Sequence, residues 1–234
     1  MTLSDMFEKL YILRKTYLTR HTRKHHSQFG EDVVINDWLD KHVKDGFYVD
    51  VGCYHPSKFS NTCFLHKRGW EGINIDMDAI KIKCFNLARP HDININAAVS
   101  DQHGDVTVYN FSRYGLGSTI DPDVAKKTPM PVYSKDEIET KPLTEIIDAT
   151  PFKNRQIDLL TIDAEGHDFN VIRSLDMERY KPKILLTETH LTDLHKILKL
   201  PMHLYLEDHG YQLLNWVGFT LIYAQPENGL FKDR

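Results

Sequence analysis

The sequence predicts an α/β fold: a mostly parallel seven-stranded sheet with helices on both faces, a C-terminal antiparallel hairpin and an added N-terminal helix. Three observations lead there. Short, nearly continuous apolar runs such as "GFYVDVG", "GINID" and "IDLLTIDAEG" alternate with stretches of helical spacing, the pattern of strands buried on both faces. The last two strand-like runs, "YQLLNWVG" and "FTLIYAQ", are separated by only a few residues around Gly218. That is too short for a parallel crossover, so they must pair as a hairpin. Finally, a chain of 234 residues that is 41% hydrophobic can bury a full core.

Taken in order, residues 1–26 form a basic amphipathic segment and residues 27–234 the domain. Leu3, Met6, Phe7, Leu10, Leu13, Tyr17 and Leu18 recur at three- and four-residue steps and share one helical face. Packing of that face on the domain is the plainer reading, and peripheral contact with a membrane or a partner is the other. The histidines of "HTRKHH" read as solvated, because no acidic residues accompany them. "EDVVINDWLDKHV" has helical spacing, and "GFYVDVG" is the first buried strand. In "SNTCFLHKRG", Ser60 is the expected N-cap and Gly69 the residue that ends the helix. "GINID", the helix "AIKIKCFNLARP" and the strand "DININAAVS" follow. "DVTVYNF" alternates like a half-exposed strand, and "SRYGLGSTIDPDVAKKTPMP" reads as a long irregular loop. "IDLLTIDAEG", "KILLTETH" and the hairpin complete the sheet.

The formal charge of −4 gives no global preference for nucleic acid. Cys53, Cys63 and Cys84 form neither a zinc-like spacing nor an even disulfide framework. No apolar run is long enough to span a bilayer, and the basic start lacks a secretory core. A cytoplasmic location follows as the expectation, with attachment at the inner membrane face if the N-terminal helix seeks lipid.

Asp50, Asp76 and Asp163 all lie at or near strand ends, in "YVDVG", "INIDMD" and "LTIDAEG". Ligands of open α/β sheets sit outside those ends. Gly52 stands without the further glycines of a dinucleotide fingerprint, and no phosphate loop is present. Acids without a phosphate cradle suit a cationic, hydroxyl-bearing ligand such as S-adenosylmethionine. Gly52 would then admit the backbone close to the methionine portion, Asp50 would orient the ammonium or a water, and Asp76, followed by Met77, would accept from ribose hydroxyls. The inferred sheet is also the Rossmann-like architecture of class I methyltransferases.

"SQFGED" (27–32), "GFYVDVGCYHPSKFSNT" (46–62), "RGWEGINID" (68–76), "AAVSD" (97–101), "GSTI" (117–120) and "LLTIDAEGHD" (159–168) together resemble the successive signatures of FkbM-type methyltransferases. The resemblance implies S-adenosylmethionine-dependent O-methylation, most often of a sugar in a glycan, glycolipid or polysaccharide. It further implies that Gln28, Gly30 and Glu31 close over the cofactor. Ser60, Asn61 and Thr62 would hold its carboxylate, Ala98, Val99 and Ser100 would flank the adenine, and Gly117, Ser118 and Thr119 would lie near cofactor or substrate. Asp76 stands where the family more often has Glu, and Cys53 and Tyr54 stand where smaller or amide residues are common.

A sugar hydroxyl needs a base, or a metal that acidifies it, before it can attack a methyl group. Asp163, Glu165 and His167, with Glu188 and His190 of "TETH", are the candidates. In one reading Asp163, His190 or both accept the proton directly; in the other, Asp163 and Glu188 with His190 or Glu165 hold a divalent ion. The metal-free reading is preferred. His195 and His203 are assigned to an exposed helical stretch without a role. An NAD(P)-dependent oxidoreductase on a similar sheet and a non-catalytic binding protein of the same fold are the competing classes. Nucleic acid is not expected as a partner.

Overall fold

A computed structural model of the chain describes residues 3–18, 23–39, 43–112, 117–120 and 122–226. Eleven strands occur among them, in chain order β1 Phe47–Val51, β2 Glu71–Asp76, β3 Ile93–Asn96, β4 Ala98–Val99, β5 Gly104–Asn110, β6 Ser118–Thr119, β7 Ser134–Lys141, β8 Leu159–Ile162, β9 Ile184–Glu188, β10 Gln212–Val217 and β11 Thr220–Ala224. Seven build one sheet in the order β3-β2-β1-β8-β9-β11-β10. The first five are mutually parallel, and β11 enters antiparallel to both β9 and β10. This is the class I methyltransferase arrangement, and the hairpin expected around Gly218 is its edge.

Alternation along β1 shows why both faces are covered. Phe47, Val49 and Val51 join a core with Ile73, Ile75, Leu160 and Ile162, whereas Tyr48 faces the other layer beside Ile35, Trp38 and Leu39. That second layer is the helix Glu31–Leu39, whose apolar side the sequence spacing had indicated. Gly69 does follow the short helix Cys63–Lys67, at φ +86°, but Thr62 and not Ser60 occupies its N-cap. Ser60 is instead buried and turned toward Arg89.

Three parts of the sequence reading are corrected. The run "DININAAVS" makes two strands: the chain leaves β3 after Asn96, with the Ala97 amide bonded to the Asp76 carbonyl, and β4 joins another sheet. That sheet has the order β4-β7-β5-β6. Its centre, β5 against β7, is antiparallel from Gly104↔Thr140 to Asn110↔Ser134. The supposed irregular loop contributes β6 and a helix Pro122–Lys127, while residues 113–116 and 121 lie outside the described residues. β7, "SKDEIETK", carries too many charges to read as a strand and is formed by its partner.

The second correction concerns the N-terminal helix Leu3–Leu13 and its wider continuation Arg14–Leu18, which bury no residue. Packing of that face on the domain is not observed; of the "HTRKHH" stretch, His21 and Thr22 lie outside the described residues. Third, His203 is buried, with Nδ1 3.1 Å from the Tyr223 hydroxyl, because its helix Pro201–Asp208 packs on β11. Among the described residues no helix is long and apolar enough to cross a membrane.

Candidate active site

Parallel strands end on one edge, so the residues that close β1, β2, β8 and β9 meet there. Asp50 is the fourth residue of β1, Asp76 ends β2, Asp163 follows β8 and Glu188 ends β9. The strand tips are tied laterally: the Gly52 amide donates to the Ile75 carbonyl at 2.8 Å, and the Asp163 amide to the Val51 carbonyl at 2.9 Å. At Gly52, φ is +78° and an added Cβ would stand 1.8 Å from the Asp163 carbonyl oxygen. No side chain fits there, so the cavity floor is bare backbone.

Two adjoining cavities open over these tips. The first is a narrow slot walled by Ile75, Ala97, Ala98, Val99, Ile120 and Val171, with Asp76, Met77, Lys81, Ser118 and His167 as its polar and flexible lining. Asp76 is buried; Lys81 Nζ lies 3.1 Å from its Oδ2, and the Asp78 amide donates to Oδ1 at 2.8 Å. The Ser118 hydroxyl is buried and has no hydrogen-bond partner among the described residues. A buried orphan hydroxyl on a cavity wall is costly unless a ligand supplies the partner. His167 Nε2 lies 3.1 Å from the Ser100 hydroxyl, and burial lowers the histidine's affinity for a proton.

The second cavity, of about 300 Å³, is an acid chamber. It shares Gly52, Tyr54, Asp163 and Glu165 with the slot and adds Glu31, Asp50, Glu188, Gln28, Asn61 and His190. Five carboxylates therefore surround one space. Burial pushes the Asp163 carboxyl up to about 8, with Glu188, Glu165 and Asp168 adding repulsion and Lys81 opposing it. Glu188 is pushed up to about 7, by burial first and then by Asp168, Glu165 and Glu31. Asp50 reaches about 6 through burial, offset in part by the Thr62 hydrogen bond and the Arg89 charge. Carboxyls raised in this way would lose their protons more readily beside a cation.

The predicted site residues divide accordingly. Gly52, Asp76, Met77, Ala98, Val99, Ser118 and Asp163 line the slot; Gln28, Glu31, Asp50, Asn61, Glu165 and His190 line the chamber. Gly30, Ser60 and Thr62 line neither. Gly30, at φ +94°, shapes a turn in which its amide donates to Ser27 Oγ. Glu31 accepts from Thr220 Oγ1 at 3.2 Å, and Phe29 lies so close to Gly218 that a Cβ there would overlap the ring, so "SQFGED" is latched onto the hairpin tip. Thr62 donates to Asp50 Oδ2 at 2.7 Å and stands behind it. Among the described residues no three His, Cys, Asp or Glu side chains are grouped as a metal site, and that includes the Asp163, Glu188, Glu165 and His190 set.

Sequence reasoning missed Arg89, which had read only as the end of a helix before Pro90. It is almost wholly buried and donates to Ser60 Oγ at 3.0 Å, Thr62 Oγ1 at 2.9 Å, Tyr48 Oη at 3.2 Å and the Pro56 carbonyl. Tyr48 in turn donates to Asp92 at 2.5 Å. One guanidinium thus organises the residues that hold Asp50. Its only sequence signal was a cation amid apolar neighbours.

A family model, the Methyltransferase FkbM domain, matches residues 50–213. No curated protein matches the chain significantly. A solved TehB-like SAM-dependent methyltransferase from Corynebacterium glutamicum is similar at 11% identity, covering 95% of this chain and 97% of that one with a TM-score of 0.44. A precorrin-6y C5,15-methyltransferase from Geobacter metallireducens is similar at 15% identity, covering 89% and 94% of the two chains with a TM-score of 0.42.

Proposed function

This chain belongs to the FkbM family of S-adenosylmethionine-dependent methyltransferases, and we propose that it methylates a hydroxyl group carried by a sugar. The observation that carries the reading is the acid chamber beside the apolar slot. Slot and chamber together suit a ligand with a flat apolar end, a diol and a positively charged end. Asp76 and the unpartnered Ser118 hydroxyl would hold the nucleoside, bare Gly52 would let it lie against the strand tips, and Asp50 with Asn61 would orient the amino-acid end. The cofactor supplies an activated methyl group on a sulfonium.

The chain's own work is positioning and proton handling. Asp163, its carboxyl raised by burial and neighbouring acids, would give up its proton when positive charge arrives nearby. Its ionised carboxylate is then able to take the proton of an acceptor hydroxyl. Glu188, Glu165 and His190 rim the same chamber and would grip the acceptor's remaining hydroxyls by accepting hydrogen bonds. A chamber built of acceptors suits a polyol better than a flat nitrogen base, and this is what supports a sugar. The test is transfer of labelled methyl from S-adenosylmethionine to a panel of glycans and glycolipids, with the position of the label read by mass spectrometry. Label on a sugar oxygen, lost in Asp163→Asn while S-adenosylhomocysteine still binds, is expected. Label on nitrogen or carbon alone would overturn the reading.

A further inference from the structure

The N-terminal helix has a large apolar face that no other described residue covers. Leu3, Met6, Phe7, Leu10, Leu13, Tyr17 and Leu18 fall on one side, and each is between 41% and 76% exposed. Contiguous exposure of this size marks an interaction surface. The charge pattern selects the occupant. Residues 1–26 carry six Lys and Arg against two Asp and Glu, a net +4 in a chain whose total is −4, so residues 27–234 carry −8. The exposed Lys9, Arg14 and Lys15 lie on the helical segment itself, interleaved with the apolar positions.

We propose that this helix docks the protein onto an anionic lipid surface. The apolar face enters the boundary between headgroups and acyl chains, and the basic side chains meet the headgroup phosphates. The acidic domain is repelled by the same surface and is therefore held off it, with only the helix in contact. Arg23, at the far end of the basic segment, forms an exposed pair with Asp37 of the helix Glu31–Leu39 at 2.6 Å.

The full chain should be sedimented with vesicles of pure phosphatidylcholine and with vesicles containing about 30% phosphatidylglycerol. Binding to the anionic vesicles is expected to be at least roughly tenfold stronger, and to weaken at about 0.5 M salt, where charge attraction is screened. Phe7→Ser with Leu10→Ser, and separately Lys9→Glu with Lys15→Glu, should each abolish it while leaving S-adenosylhomocysteine affinity unchanged, because neither pair touches the site. Equal binding to both vesicle types, or none to either, overturns the proposal. Self-association that is lost in the Phe7→Ser, Leu10→Ser variant, without vesicle binding, would assign the face to a second copy of the chain and overturn it as well.

Discussion

Replacing Asp163 by Asn should inactivate the enzyme and at the same time stabilise the ligand-free protein at alkaline pH. The carboxyl ordinarily titrates near 3.8, and in the folded chain it is pushed up to about 8, chiefly by burial. Between those two values the folded chain keeps a proton that the unfolded chain has lost. Stability is therefore full below about 4, falls as pH rises through the window, and reaches its floor above about 8. At about 1.4 kcal/mol per tenfold change, full ionisation costs at most about 6 kcal/mol of folding free energy. The chamber mouth is open to water, so roughly half of that, about 3 kcal/mol, is the expected loss. Asparagine keeps the size of the side chain and cannot ionise. For a domain of this length about 3 kcal/mol corresponds to roughly 6–12 °C in Tm. Thermal unfolding without ligand, followed by circular dichroism at pH 5, 7 and 9, is the assay. The variant should melt only slightly above the parent at pH 5 and well above it at pH 9, with a shallower residual slope from Glu188 and Asp50. Equal melting at pH 9, or normal turnover by the variant, would refute the reasoning.

Other consequences follow from the same geometry. Binding of S-adenosylmethionine near pH 7 should release protons, more than binding of the uncharged thioether product, and its affinity should rise from pH 6 to pH 8; calorimetry in buffers of different ionisation enthalpy measures both. Gly52→Ala puts a methyl group into the Asp163 carbonyl and should cost roughly 2–4 kcal/mol in denaturant unfolding while removing cofactor binding. Arg89→Met strands the acceptors that hold Asp50 and should cost roughly 3–5 kcal/mol. Lysine at the same position should rescue little, because one ammonium cannot reproduce a planar fork with several acceptors.

The parallel strands, the closing hairpin and the placement of Asp50, Asp76 and Asp163 at strand ends were legible because they rest on local patterns. Period-two burial, apolar runs and turn residues act within a few positions of the chain. The second sheet was not legible: β7 is mostly charged and exposed, and exists because β5 offers it a complete antiparallel ladder. Ser60 and Thr62 were recognised as important polar residues, yet their direction depended on Arg89, 27 residues beyond Thr62 in the chain.

By itself the sequence determined the class of sheet and which carboxylates reach the edge where its parallel strands end, since strand period and strand end are properties of neighbouring residues. Only the tertiary structure decided that Glu31 joins Asp163 and Glu188 around one chamber, that Gly52 is bare because a carbonyl lies against it, and that the N-terminal helix is left uncovered by the other described residues. Those outcomes depend on contacts between distant segments, such as Glu31 with Thr220. Burial and Coulomb repulsion, which set where each acid holds its proton, arise only once those segments have met.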